Sequence, residues 1–174
     1  MKKYLLTMVM CFAVCMCAMA GSNIKVTQGD KKIFKTASGN AVVEFVWDGA
    51  TYDNKQPLTE KYNNLEELKP IAWKGFQDAF NKSCKKVKVV EDAADATYKF
   101  TIKVTNMDQY FKVMGFVPGN ATKAWGTLTI TDVKSGQVLV EGTFSEIDGG
   151  ANLSPDGTFE DCFEEVARQV ARLK

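Results

Sequence analysis

Residues 125–147 read WGTLTITDVKSGQVLVEGTFSEI, and the fold can be built outward from them. In the first half, small polar residues alternate with Leu128 and Ile130, which is the period of a strand with one buried face. Ser135-Gly136 is a typical turn signal, and residues 138–147 have the pattern of a second strand. The stretch therefore predicts an antiparallel β-hairpin.

Upstream segments have the composition of further strands. Residues 41–47 (AVVEFVW) are β-branched, aromatic and almost continuously apolar, which is typical of a central strand. Residues 87–90 are short, and a marginal strand or hairpin begins near Ile24. Residues 98–107 (YKFTIKVTNM) alternate cleanly and place four large side chains on one face, namely Tyr98, Phe100, Ile102 and Val104.

Two segments have helical periodicity. Apolar residues recur at spacings of three and four over residues 65–80 and again over residues 159–173. Pro70 falls inside the first segment, so either the helix kinks there or the main helix begins at Pro70. Thr158 is predicted to cap the second helix.

The resulting order is β-β-α-β-β-β-β-α. Two amphipathic helices can both bury their apolar stripes against one face of a sheet. We therefore predict an α+β fold, with a mostly antiparallel or mixed sheet of five to six strands and two helices packed on one face. Residues 21–174 are expected to form a single α/β domain.

The runs ADATYKFTIKV (94–104) and WGTLTITDVKSGQVLVEGTFSEIDGG (125–150) also carry a family resemblance. They resemble uncharacterised secreted bacterial proteins near the domain of unknown function 4410. The layout of residues 41–174 is similar to the periplasmic α/β domains of TolB and of the curli secretion lipoprotein. These residues determine a fold and no chemistry, so the resemblance implies an envelope-associated, non-catalytic role and transfers no active-site residue.

The amino terminus has the features of a secretory signal peptide, residues 1–20. Lys2 and Lys3 precede an apolar run, and Ala18-Met19-Ala20 forms a small-x-small cleavage site. The run of about 16 residues is short for a membrane span. Its cysteines follow methionine or valine and not the small residue of a lipoprotein signal. The sequence predicts an exported protein of the periplasm or outer membrane, and argues against a lipoprotein.

Composition limits the chemistry. The chain contains no histidine, the usual general base and the commonest metal ligand. Without Lys2 and Lys3 it has 20 basic and 21 acidic residues, so no net field favours nucleic acid. We therefore expect no enzyme activity, no cofactor, no metal site and no nucleic-acid partner.

Cys84 and Cys162 are the cysteines that remain after cleavage at residue 20. Each lies on the buried side of a predicted helix, and an exported chain meets oxidising conditions. If the helices run antiparallel, the two thiols meet and can form a disulfide. The alternative is a pair of buried free thiols that behave as small apolar side chains.

Residues 108–124 (DQYFKVMGFVPGNATKA) are predicted to form a long connecting loop. A solvated loop has no reason to hold six large apolar side chains, which are Tyr110, Phe111, Val113, Met114, Phe116 and Val117. They indicate a contact surface for another envelope protein, for a second copy of the chain or for a membrane surface. The alternative is a segment that folds back and caps one end of the sheet.

These features predict an exported, envelope-associated, non-enzymatic domain that acts through protein–protein contacts. A second hypothesis is a small-ligand binding protein for a lipid or glycan. Its cleft would be formed by Trp47, Tyr52 and Trp125 at one end of the sheet.

Overall fold

Eight β-strands and three α-helices make up the residues that the computed structural model describes, 22–114 and 117–173. The strands are β1 (Lys25–Gly29), β2 (Gly39–Val46), β3 (Thr51–Tyr52), β4 (Gln56–Pro57), β5 (Val87–Val89), β6 (Ala96–Met114), β7 (Val117–Asp132) and β8 (Val138–Asp148). The helices are α1 (Leu58–Lys61), α2 (Leu65–Ser83) and α3 (Pro155–Ala171). The predicted signal peptide, residues 1–20, lies outside the described residues.

Six strands follow one another across the sheet in the order β1-β8-β7-β6-β2-β5, and the short strands β3 and β4 attach beside β6. The strands β6, β7 and β8 pair antiparallel, whereas β2 is parallel to both β5 and β6. The mixed sheet agrees with the predicted fold class. The short elements β3, β4 and α1 were not predicted, because each holds only two to four residues.

One face of the sheet is covered by α2 and α3, as predicted. The side chains of β6 that alternation directs toward the core are fully buried, namely Phe100, Ile102 and Val104. The ring of Phe45 in β2 makes edge-to-face contacts with Phe76 of α2 and Phe163 of α3, at centroid distances of 5.9 and 5.1 Å. A strand residue thus packs against both helices at once.

Helix α2 begins at Leu65, where the predicted helical segment begins, whereas the start of α3 differs from the predicted one. Helix α3 begins at Pro155 and is capped by Ser154, whose hydroxyl accepts a hydrogen bond from the Gly157 N–H at 3.2 Å. The predicted cap, Thr158, lies inside the helix. Helix α2 runs through Pro70 without a break, so the alternative prediction, in which the main helix begins at Pro70, is wrong.

The helices α2 and α3 run in the same direction. Near their starts, the ring of Phe159 contacts that of Tyr62 at 5.9 Å. Near their ends, Phe34 contacts Phe80 and donates its N–H to the Leu173 carbonyl. The topology explains this direction, because the strands that precede the helices, β2 and β8, are parallel to each other and each helix returns across the sheet.

Cys84 and Cys162 are free, buried thiols, so the predicted disulfide is wrong. It required antiparallel helices. With parallel helices, Cys162 in the middle of α3 is level with Gly75, which lies against Glu160 and Glu164. Cys84 lies nine residues beyond Gly75 along the chain, about 14 Å away along the helix direction. A disulfide needs its two Cα atoms within about 7 Å. The alternative of buried free thiols describes both residues.

Both thiols are expected to be unreactive in the folded protein. Burial raises the pKa of the Cys162 thiol, so the reactive thiolate is scarce in the native state. Mass spectrometry after alkylation without reductant should find adducts at Cys84 and Cys162 in denatured protein and at neither residue in native protein. Denatured, unreduced protein that takes up no reagent at these positions would restore the disulfide.

The protein should lose stability as the pH rises above about 9. Burial raises the pKa of Cys162 above its ordinary 9.0 and that of Tyr62 above its ordinary 10.0. The unfolded chain then releases protons that the folded chain keeps, so each group lowers the free energy of unfolding by up to about 1.4 kcal/mol per pH unit.

Urea unfolding between about pH 8 and pH 11 measures this loss. The Tyr62→Phe variant removes one titrating group while keeping the ring, so its stability should fall less steeply than that of the wild type above about pH 10. An equal slope in the two proteins would show that Tyr62 does not contribute.

Candidate interaction surface

The segment 108–124, predicted as a loop, is a β-hairpin. The strands β6 and β7 stay paired in one antiparallel ladder over its whole described length. The sequence did not predict strands here, because the adjacent aromatic residues Tyr110 and Phe111 break the alternation of apolar and polar residues. Pro118 also falls within β7, where proline is tolerated only near an unpaired edge.

Residues 108–114 and 117–123 extend beyond the neighbouring strands and are named the hairpin arm. The pairing of β3 with β6 ends before the arm begins, and β8 pairs with β7 only as far as Lys123. Beyond this point, an isolated backbone bridge joins Asn120 to Asn152. The arm therefore projects from the body of the sheet.

One face of the arm carries exposed apolar side chains. Phe111 is 67% exposed and Val113 is 58% exposed. They share a face because they lie two residues apart in a strand. The sequence between Lys112 and Lys123 contains no charged residue. Single apolar side chains are common on protein surfaces, whereas two adjacent ones on a strip without charge make this face a candidate contact surface.

The other predicted contact residues are placed differently. Met114 and Val117 form the closing backbone pair of the ladder. Tyr110 points to the opposite face of the arm from Phe111 and is hydrogen-bonded there. Phe116 lies outside the described residues. Among the described residues, Phe111 and Val113 therefore form the exposed apolar face of the arm.

Asp148, at the end of β8, ties the opposite face of the arm to the body. Its Oδ2 accepts hydrogen bonds from the Tyr110 hydroxyl at 2.6 Å and from the Lys112 ammonium at 2.7 Å. The Lys123 ammonium lies 4.9 Å from the centre of the Tyr110 ring and 3.8 Å from the Glu146 carboxylate. The bonds from Tyr110 and Lys112 to Asp148, both to a charged acceptor, are named the Asp148 latch.

The latch changes the proton affinity of both donors. Burial and the hydrogen bond to Asp148 raise the pKa of the Tyr110 hydroxyl. The same carboxylate raises the pKa of the Lys112 ammonium, against a smaller opposing effect of burial. Both donors therefore keep their protons at neutral pH, which is the form that binds Asp148.

Polar contacts also tie the arm to the start of α3. The Thr158 hydroxyl oxygen accepts hydrogen bonds from the Thr122 hydroxyl at 3.1 Å and from the Gln109 side-chain amide at 3.4 Å. Gln109 and Phe111 share a strand face, so the exposed apolar side chains of the arm lie on the helix side of the sheet. Sequence reasoning did not assign a role to Thr158 or Asp148 in holding the arm.

The structure does not bring the three residues of the predicted ligand cleft together. Trp47 is buried and stacks on Phe159 at a centroid distance of 5.6 Å. Tyr52 packs edge-on against Tyr62 at 6.2 Å. Trp125 lies between two buried neighbours in β7, so alternation directs its side chain to the other face of the sheet. The three residues therefore do not form the cleft that the ligand-binding hypothesis requires.

The described residues contain neither a metal-ligand cluster nor a membrane-spanning helix. Over 22–114 and 117–173, no three side chains of the acidic or thiol type are grouped so that they could hold a metal ion. The helices in the same ranges are too short or too polar to cross a bilayer.

No protein-family model and no curated protein matches this chain. Among solved structures, it is similar to PelC from Paraburkholderia phytofirmans, a dodecamer, with 14% identity over 86% of this chain and 95% of that chain and a TM-score of 0.44. It is also similar to protein XCC0632 from Xanthomonas campestris, of family DUF330, with 14% identity over 78% of this chain and 83% of that chain and a TM-score of 0.40.

A third similar structure is a neuraminyllactose-binding hemagglutinin homolog from Helicobacter pylori, with 11% identity over 76% of this chain, 81% of that chain and a TM-score of 0.36. Because all three TM-scores are below 0.5, these likenesses assign no function to the chain. The neighbours are bacterial proteins, and one belongs to a family of unknown function. The resemblance to domain 4410 and to TolB is not confirmed.

Replacing Asp148 by Asn should loosen the arm without unfolding the body. The variant removes the charge that Lys112 and Tyr110 bind and keeps the shape of the side chain. Hydrogen bonds to charged groups contribute about 1.5–3 kcal/mol, so amide hydrogen exchange in residues 109–113 should rise at least about tenfold. Residues 98–104 of β6 should keep their protection.

Glu146→Gln is the matched control. It removes a charge of the same sign from an exposed carboxylate whose contact with Lys123 is long, at 3.8 Å. Exposed pairs of this kind contribute little, so the exchange of the arm should change by less than about threefold. Arm protection that falls equally in the two variants would show that Asp148 is not a latch.

Proposed function

We propose that this chain is an exported, envelope-associated domain that acts through protein–protein contacts and not through catalysis, and that the apolar face of the hairpin arm is its contact surface. The observation that carries the proposal is the exposure of Phe111 and Val113 on an arm whose opposite face is bonded to Asp148. An apolar surface held in one conformation suits recognition, because little conformational freedom is lost on binding.

The cellular location in this proposal rests on the amino-terminal sequence. Residues 1–20 have the charged start, apolar run and cleavage site of a signal peptide. A periplasmic or outer-membrane-associated location follows, and the partner is then another envelope protein or a second copy of the chain. The lack of histidine supports a non-enzymatic role, because it removes the usual general base near neutral pH.

The charges at the base of the arm favour a protein partner over an anionic membrane. Lys112 is paired with Asp148 at 2.7 Å, and Lys123 lies 3.8 Å from Glu146. The close pair leaves Lys112 little free to attract acidic lipid headgroups, and Lys123 with its acidic neighbour adds no net positive charge, whereas basic segments bind membrane surfaces through unpaired cations. An uncharged strip with an aromatic anchor matches the core of a protein–protein interface.

The double variant Phe111→Ser, Val113→Ser tests the contact surface. Both side chains are exposed, so the fold should be kept while the apolar area is lost. In cross-linking and co-purification from envelope fractions, we expect recovery of the wild-type partner to fall at least about tenfold, as for the loss of an interface anchor.

Val133→Ser is the control for this experiment. Val133 is 46% exposed and lies near the turn between β7 and β8, at the other end of β7 from the arm. It should leave partner recovery unchanged. Unchanged recovery with the double variant, in protein whose circular dichroism is native, would remove the arm from consideration.

A further inference from the structure

The sheet face away from α2 and α3, named the open face, has its charges arranged in rows. Two rows run across the sheet from β2 to β1. The row nearer the turn between β7 and β8 contains Glu44, Thr101, Thr129, Glu141 and Gln28. The next row toward the arm contains Val46, Lys103, Thr127, Thr143 and Lys25. Residues in a row lie beside one another because the strands are in register.

Two charged side chains of opposite sign, which lack an ion-pair partner in the described part of the chain, lie on the two strands beside β7. Over these rows the outward side chains of β7 are the neutral threonines Thr127, Thr129 and Thr131, and the next outward side chain toward the arm is the half-buried Trp125. On one side of β7, β6 presents Lys103, and on the other side β8 presents Glu141. Among the described residues, neither Lys103 nor Glu141 belongs to an ion pair, whereas Lys99 is paired with Glu44 at 2.9 Å.

We infer that the open face is the contact face between two copies of this chain, related by a two-fold axis parallel to β7. Such an axis places β7 over β7 and β6 of one copy over β8 of the other. Lys103 then lies over the partner's Thr143, one row from the partner's Glu141. Within these rows, opposite charges become diagonal neighbours and no like charges face each other. Lys123, further along β7 at the base of the arm, lies 3.8 Å from Glu146 of its own copy.

The direction of the axis follows from the charges. An axis across the strands would place β6 over β6 and β8 over β8. It would bring Lys99 and Lys103 of one copy against the same strand of the other copy, and like charges at a close interface cost free energy. Two sheet faces pack about 10 Å apart, a distance that threonine and lysine side chains can fill from both sides.

The size of the open face predicts a weak, reversible dimer. Six strands about 4.8 Å apart and three rows of outward side chains give roughly 25 by 20 Å per copy, or about 1,000 Å² for both copies. That area is at the lower limit for a specific interface. Because the face is also rich in threonine and charge, we expect a dissociation constant in the micromolar range.

This inference does not depend on the function proposed for the arm. Phe111 and Val113 lie on the helix side of the sheet, so a copy on the open face leaves them exposed. A two-fold axis parallel to the strands also keeps the strand direction, so both arms project from the same end of the dimer.

A charge-swap experiment tests the interface. Sedimentation equilibrium of the purified chain over about 5–500 µM should show a reversible dimer. Lys103→Glu places an acidic side chain diagonally opposite the partner's Glu141, at two symmetric positions, and should raise the dimer dissociation constant at least about tenfold. The swap Lys103→Glu, Glu141→Lys restores opposite signs and should return the constant to within about threefold of the wild-type value.

Lys85→Glu is the matched control, because it makes the same change of charge at an exposed position after α2 and away from the open face. Its dissociation constant should equal that of the wild type. A wild type that remains monomeric at about 500 µM overturns the inference. So does Lys103→Glu with unchanged association, or a swap variant as weak as Lys103→Glu alone.

Discussion

The antiparallel pairing of β6 with β7 joins the body of the protein to the arm. Within the body, the buried side chains of this ladder form the surface on which α2 and α3 pack. Beyond Lys123 the same ladder continues without neighbouring strands. Between the body and the arm, this ladder has an irregular position between Val104 and Asn106, which adds one residue to β6. Even-numbered side chains such as Ile102 therefore face the helices in the body, whereas odd-numbered side chains such as Phe111 lie on that side in the arm. The extra residue in β6 thus sets which face of the arm carries Phe111.

Local periodicity explains what could be predicted from the sequence. The hairpin of residues 125–147, the buried face of residues 98–104 and the two helices on one side of the sheet all follow from patterns of two or 3.6 residues. The same rule explains the error at residues 108–124. Tyr110 and Phe111 are both large, one serving the latch and the other the exposed face, so the strand shows no alternation there.

Long-range pairing explains what the sequence did not reveal. The direction of α3 relative to α2 depends on β2 and β8 being parallel. Five strands separate β2 from β8 in the chain, so no local sequence pattern encodes their relative direction. The cysteine prediction failed for that reason. Counting back from the turn at Ser135-Gly136 pairs β7 with β8, but irregular positions in this ladder shift the register before Asp148 is reached. The partnership of Asp148 with Lys112 therefore needed the structure.

The exposed side chains of the arm are separate from the buried core, and this separation affects how the protein can diverge. Substitutions at Phe111 or Val113 change little buried area, so they lie outside the constraint that stability places on core residues. The ladder and the latch can remain while the tip changes. Sequence drift at the tip can thus alter partner choice in relatives that keep the same framework.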